Sequence, residues 1–343
     1  MNTIDFTEQI TNAIVQGEWT TAFDCATQWS EQPTPSPCAF FTLNVVHLLR
    51  GEFGLAWQMH AKSLETLEDI ELVRAWVTQI QTDHSQAGTV QLVAGLFLAQ
   101  SGQSENSLGC YQEAIRLSPD LPYAHFFLAQ IFQRMGRTDQ AIKAYRQAVK
   151  LDSSYIAARL NLGVAYQEHG QLEMAIPQYR EILRLRPDEA IGHTNLACAL
   201  AEQGKIEAAI LEYKEALRLS PDDEEVRFAL GSLYETKGRP DMAIREYRES
   251  LRLNPQFAPA ATAVGWLCFE KRQFEEALDS FSVALKVNPK DADATFGVGR
   301  VYDEKGKPAM AAEHYHHALQ LEKDPHKKTA LMNFIDKAGG YQT

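Results

Sequence analysis

The chain of 343 residues contains no apolar run approaching the roughly 18 residues that a membrane-spanning helix needs. It has no excess of basic charge. Lys and Arg number 33 against 45 Asp and Glu, a net charge of −12, which argues against a general binder of nucleic acid or anionic membranes. Cysteine is sparse: Cys25, Cys38, Cys110, Cys198 and Cys268 are scattered, without a C-x-x-C pair. Reduced, mostly buried thiols in a cytoplasmic protein are therefore expected. The start, MNTIDFTEQ, lacks the basic residues and apolar core of a secretory signal. Reaction motifs are missing as well, with no glycine-rich phosphate loop, no H-E-x-x-H and no nucleophile elbow. No enzymatic activity and no cofactor are expected. His314, His316 and His317 beside Glu313 come nearest to a metal site, and His314 and His317 share a helical face. A third or fourth ligand is not identifiable, so this reads as a solvated helix face.

What the chain does contain is a period. Tyr111, Tyr145, Tyr179, Tyr213, Tyr247, Phe281 and Tyr315 lie 34 positions apart. With aromatics at 10% of the chain, seven of seven in one fixed phase is about a one-in-ten-million outcome. Gly95, Ala129, Gly163, Ala197, Gly231, Gly265 and Gly299 travel in the same register, none larger than alanine. Ala141, Ala175, Ala209, Ala243, Ala277 and Ala311 follow it too, with Ser107 ahead of them. Pro119, Pro187, Pro221, Pro255 and Pro289 close the units, and Ser153 substitutes once.

Residues 190–223 show the physics of one unit. Ile191, Leu196 and Leu200, then Ile206, Ile210 and Leu217, recur at helical spacing on either side of Gly204. Gly204 suits the left-handed conformation that ends a helix, which predicts two short helices around a tight turn. Small residues at Ala197 and Ala209 let the helices approach closely, and Tyr213 fills space against the next unit. Pro221 stops the second helix. One hairpin cannot bury its apolar face alone, and stacked neighbours do so.

This 34-residue helix–turn–helix pattern resembles the tetratricopeptide repeat (TPR) family over residues 88 to about 325. The resemblance implies an all-α fold, a right-handed superhelical solenoid with seven repeats starting at 88, 122, 156, 190, 224, 258 and 292. The family's early Trp is replaced by Gln91, His125, Arg159, His193, Arg227, Ala261 and Thr295. Gly17 and Gly51, and Ala22 and Ala56, share the register, so 3–36 and 37–70 read as degenerate repeats joined through Pro33-Thr34-Pro35-Ser36-Pro37. An extra amphipathic helix is expected over 71–87, making 1–87 an N-terminal subdomain set at an angle. Trp19, Trp29, Trp57 and Trp76 fall there and are read chiefly as fillers of an imperfect core, with an exposed partner site as the alternative. Residues 325–343 are a capping helix and tail: Asp324 is the N-cap, Pro325 the first helical residue, and Gly339-Gly340 the stop.

In TPR arrays the first helix of each unit lines the concave face. The resemblance therefore implies a groove with Tyr123, Phe126, Phe127 and Gln130 near its start. Asn161, Glu168, Asn195, Glu202 and Glu235 follow, then Trp266 and Arg300. The groove passes from apolar (89–130) to acidic (168–304), which suits an extended partner with an apolar and a basic segment. The family's chaperone-binding members use a Lys/Asn/Arg clamp on this face. Only Arg300 and the rim residue Arg134 are basic here, so that subtype is not expected. Asn161 and Asn195 occupy equivalent positions and resemble two rungs of the asparagine ladder in the TPR arm of O-linked N-acetylglucosamine transferases. They read equally well as helix-surface amides. The expected function is a non-enzymatic adaptor or assembly scaffold. The alternative is a homo-oligomeric scaffold whose N-terminal repeats dock into a neighbour's groove. Neither a helix-turn-helix domain nor the basic charge of a DNA-binding regulator is visible.

Overall fold

The computed structural model describes residues 6–32, 35–50, 52–63 and 65–339, and the regular structure of these residues is α-helical. Pro33, Thr34, Gly51 and Gly340, which entered the expectations above, lie outside them. None of the described helices is long and apolar enough to cross a membrane. The chain divides into two compact bodies, 1–185 and 186–343.

The first body begins with α1 (Phe6–Gln16), α2 (Trp19–Ser30), α3 (Pro37–Arg50), α4 (Phe53–Ser63) and α5 (Leu67–Asp83). Three repeat hairpins follow: α6 (Gly88–Gln100) with α7 (Ser104–Leu117), α8 (Pro122–Arg134) with α9 (Thr138–Leu151), and α10 (Ile156–Glu168) with α11 (Leu172–Leu185). The second body holds α12 (Ala190–Glu202), α13 (Ile206–Leu219), α14 (Glu224–Thr236), α15 (Pro240–Leu253) and α16 (Ala258–Glu270). It continues through α17 (Phe274–Val287), α18 (Ala292–Glu304), α19 (Pro308–Leu321) and the closing α20 (Pro325–Gly339).

The small-residue register has a sharper role than admitting two helices to one another. A Cβ on Gly163 would stand 2.5 Å from Tyr179 Cε1, and one on Gly95 would stand 2.6 Å from Tyr111 Cε1. In the five repeats with glycine at this position, the aromatic ring of the second helix thus presses on the backbone of the first helix. The same ring also reaches the next repeat. Tyr111 stacks on Phe127 at 6.0 Å between ring centroids, and a Cβ on Gly297 would collide with Phe281. One aromatic residue therefore contributes to packing both within and between repeats, burying its face on each side.

Its hydroxyl is accommodated in register. Tyr145 Oη donates to Gln133 Oε1 (3.0 Å), Tyr179 Oη to Gln167 Oε1 (3.0 Å), Tyr247 Oη to Glu235 Oε2 (2.8 Å) and Tyr315 Oη to Asp303 Oδ2 (3.2 Å). Each acceptor lies twelve residues upstream. Where that position is Ala201, Tyr213 Oη instead meets Cys198 Sγ at 2.9 Å. Where the ring is Phe281, the position is Phe269, so ring and partner are apolar together. A buried hydroxyl without a partner is costly, and these five tyrosines avoid that cost, whereas Tyr155 Oη is buried without a partner among the described residues.

The residues standing in for the early Trp tie successive repeats together by hydrogen bonds. His125 Nε2 reaches Pro119 O (3.1 Å), Arg159 Nε reaches Ser153 O (2.8 Å), His193 Nε2 reaches Pro187 O (3.1 Å) and Arg227 Nη2 reaches Pro221 O (3.1 Å). The turns use a left-handed glycine such as Gly204, φ 79°. In the sixth repeat Arg272 holds that conformation, at φ 59°. A non-glycine residue there costs about 1–2 kcal/mol.

The N-terminal segment departs from expectation in two places. The extra helix spans Leu67–Asp83, four residues earlier than 71–87, because Thr66 and Asp69 form a capping box. Thr66 Oγ1 accepts from Asp69 N (3.1 Å) and Asp69 Oδ2 accepts from Thr66 N (3.0 Å). Trp57 does not fill a core, since 71% of it is exposed, whereas Trp76 is buried. At the other end Asp324 Oδ1 accepts from His326 N (2.8 Å), and Phe334 on α20 packs against Phe296 and Tyr315.

Candidate functional site

Helix α3, PCAFFTLNVVHLLR, is almost wholly apolar, and Asn44 in its middle is 1% exposed. A buried amide must be satisfied. Asn44 Nδ2 donates to Ala56 O on α4 (2.6 Å), and Asn44 Oδ1 accepts from Gln100 Nε2 on α6 (2.6 Å). Gln100 Oε1 lies 3.2 Å from His60 Nδ1 on α4, and as an amide oxygen it accepts the imidazole proton. This relay fastens the α3–α4 hairpin to the first helix of the first repeat.

Between the hairpin and the repeats lies a cavity of about 590 Å³. The hairpin side presents Asn44, Leu48, Ala56, Trp57 and His60, with Trp57 and His60 in ring contact at 5.6 Å. Facing them are Leu96, Ala99 and Gln100 from α6, Tyr111 from α7 and Phe127 and Gln130 from α8. Gln133, Arg134, Tyr145 and Asn161 complete the wall. Tyr145 Oη, which donates to Gln133, accepts from Asn161 Nδ2 at 3.4 Å, and Gln133 Nε2 donates to Glu168 Oε2 at 3.0 Å. Burial pushes the Tyr111 and Tyr145 phenols well above their ordinary range, so both are neutral donors at physiological pH. The wall offers aromatic faces, amides and one guanidinium, and no Asp or Glu. Such a lining can hold a ligand by shape and hydrogen bonds.

The expected groove residues take different places. Phe127, Gln130 and Asn161 line this cavity. Phe126 requires a correction, because it is fully buried (0% exposed) with Phe127, Tyr145 and Tyr155 rings 5.0–5.9 Å away. It belongs to the core, and Tyr155, the N-cap residue of α10, closes over the face it was expected to display. Leu92, Val93 and Leu96 are buried as well, so the apolar stretch of the expected groove is mostly interior. Tyr123 is half-buried on a separate depression with Trp19 and Arg50, its ring edge-on to Tyr155 at 5.4 Å. Glu168 is exposed beside Gln133.

In the second body Asn195 Nδ2 donates to Ile191 O, one turn back in its own helix (2.8 Å). Glu202 and Glu235 are exposed, and Glu235 accepts the Tyr247 hydroxyl. Trp266 Nε1 donates to Asp293 Oδ2 (3.1 Å), whose carboxyl is pushed up chiefly by burial. Arg300 lies over three rings, with its guanidinium carbon 4.9 Å from the Phe334 centroid, 5.1 Å from Phe269 and 6.0 Å from Phe296. His314 stacks on Tyr302, and no three His, Cys, Asp or Glu side chains converge as metal ligands among the described residues.

The groove expectation omitted Asn44, Trp57, His60 and Gln100. One signal was legible: an asparagine in the middle of an apolar helix needs a buried partner. The partner's identity was not.

A TPR repeat family model matches residues 95–136, 134–170 and 198–238. Two tetratricopeptide repeat models match 263–326, and 156–189 with 224–257. No curated protein matches the sequence. Among solved structures, Pseudomonas aeruginosa pilF is 22% identical, with 62% of this chain and 96% of that chain covered and a TM-score of 0.54. A tetratricopeptide repeat protein from Parabacteroides merdae is 15% identical, with 73% and 99% covered and a TM-score of 0.56. A MamA structure is 27% identical over 48% of this chain and 96% of that chain, with a TM-score of 0.46. The first two share the fold, a solenoid of helical hairpins. The three repeat models together span well over half of the sequence. The chain belongs to the tetratricopeptide repeat family, a family of protein-interaction modules.

Proposed function

We propose that the protein is a non-enzymatic adaptor or assembly scaffold that holds an extended segment of a partner protein, gripped in the cavity of the first body. The observation that carries this reading is the cavity itself. It is large enough for a peptide side chain and its adjoining backbone, and it is walled by aromatic faces with amides among them. The Gln130 side chain makes no hydrogen bond with any described residue and that of Asn161 makes only the long one to Tyr145, so both amides have capacity left for a peptide backbone. Taken by themselves, the exposed acidic residues Glu202 and Glu235 of the second body suit a basic stretch of a partner protein. A reducing compartment such as the cytoplasm suits the five cysteines, all free thiols.

The test is affinity purification from the native host with the wild type and with Gln130→Ala/Asn161→Ala. A partner held by the wild type and lost by the variant, at unchanged helical content, supports the reading. Full retention would place the ligand elsewhere. Light scattering on the same samples distinguishes an adaptor from a self-assembling scaffold, whose mass rises with concentration in the absence of any partner.

A further inference from the structure

We infer that the cavity between the α3–α4 hairpin and the first repeats accepts a peptide segment in which a bulky apolar side chain stands next to a carboxylate. The inference rests on the partner-binding reading above and specifies the chemistry of what is bound.

The apolar half follows from Trp57. Its indole is 71% exposed yet forms part of the cavity wall, across from Phe127, Leu96 and Ala99. A large exposed aromatic beside an apolar wall gains most from a side chain inserted between them.

The carboxylate follows from charge. This chain carries a net charge of −12, and its repeat arginines are commonly matched within one turn, as in Arg116–Glu113, Arg184–Glu181, Arg218–Glu215 and Arg252–Glu249. Arg134 is different. It is exposed, lies on the wall of a cavity without Asp or Glu, and makes no ion pair with a described residue. Its field favours negative charge at the Tyr111 phenol, whereas at Tyr145 the Glu168 carboxylate outweighs it, so the positive potential belongs to the Tyr111 side of the cavity. Glu168 accepts the Gln133 amide and is not part of the wall. A guanidinium in this position pairs with an incoming carboxylate by charge-assisted hydrogen bonds, and Gln130 can hold the intervening backbone. The cavity thus prefers the opposite charge to that suited by Glu202 and Glu235.

The experiment is selection of a displayed library of random dodecapeptides on the full chain, in wild-type form and as Arg134→Glu. Wild-type selections should place Phe, Trp, Leu or Ile within two residues of Asp or Glu. A synthetic peptide of the enriched sequence should bind about tenfold more weakly when its acid is changed to the amide. Arg134→Glu should impose the same loss and shift the selected neighbour to Lys or Arg. Trp57→Ala should weaken binding whatever the neighbour's charge. Because both side chains are exposed, thermal melting should be unchanged in each variant, which separates lost binding from lost folding. Enriched peptides that lack the acid and are indifferent to Arg134 and Trp57 would overturn the inference while leaving partner binding intact. No enrichment above the bare support would overturn the partner-binding reading itself, and this inference with it.

Discussion

Asn161 in the first body and Asn195 in the second stand 34 residues apart in identical repeat register. The first donates to the Tyr145 hydroxyl and lines a cavity, and the second donates to Ile191 O of its own helix. The difference comes from their surroundings. In the first body an N-terminal hairpin closes over the repeats and makes a pocket, whereas the Asn195 amide turns back onto its backbone, as short polar side chains do when nothing better is offered. Equal position in a repeat therefore does not mean equal task.

The ties between repeats differ in the same way. The second body carries a ladder of ion pairs in repeat register: Lys237–Glu207, Lys271–Asp241 and Lys305–Glu275, the last at 2.7 Å. The matching positions of the first body hold His169–Asp139 at 3.5 Å, and Met135 opposite Glu105. Aromatic contacts such as Phe126 with Tyr155 join the first body, as Phe228 with Phe257 does in the second, and the first has the Asn44–Gln100 amide relay besides. It is joined by packing, while the second adds exposed charge.

The strongest way to break this contrast is Phe126→Ala. If the residue is core, the variant should lose about 3–5 kcal/mol of stability in urea denaturation. Unaltered stability with lost partner binding would return Phe126 to an open groove. Next is Gly163→Leu, which drives a side chain into Tyr179 and should cost about 2–3 kcal/mol by overpacking. A neutral midpoint would contradict the ring-on-glycine register. The asparagines come third. Asn161→Ala should weaken partner binding about two- to tenfold, the effect of one hydrogen bond worth roughly 0.5–1.5 kcal/mol, and Asn195→Ala should leave affinity unchanged. Calorimetric titration with one selected peptide decides it, and equal losses would restore a two-rung ladder.

Smaller still, Arg272→Gly should raise stability by about 0.5–1 kcal/mol. It relieves a left-handed backbone while giving up only the exposed Glu304 ion pair and the contact with Phe274. A lower melting temperature would show that those side-chain contacts outweigh the strain. The smallest effect is Glu207→Gln, which should lower the melting temperature only slightly, because exposed ion pairs contribute little. That loss should vanish at molar salt, since an exposed pair is screened, and a salt-independent loss would mean that packing, not charge, joins these repeats.

The local parts of the fold were legible because they repeat. Gly204 needs a left-handed φ wherever it sits, Pro221 stops a helix by its own ring, and Tyr179 needs a residue without a side chain beneath it. Each signal depends on neighbours within one hairpin, so period and register carry it. The start of α5 was also legible, since Thr66 and Asp69 spell a capping box, but the apolar stripe farther along drew the expected helix four residues downstream. Phe126 was misjudged for a different reason. Its place on the first helix of a repeat says which way it points, but only Tyr155, farther on at the N-cap of α10, determines that it is covered.

The sequence by itself therefore determined that this is an all-α array of 34-residue hairpins, because backbone conformation and ring-on-glycine packing are decided over short separations. Only the tertiary structure decided where a ligand site lies. The cavity needs Asn44 to meet Gln100 across 56 residues and Trp57 to share a wall with Asn161. Neither meeting follows from the period, because the α3–α4 hairpin belongs to the stretch whose pattern has decayed. Its place was set by burial of an apolar helix and by the requirement that a buried amide find a partner.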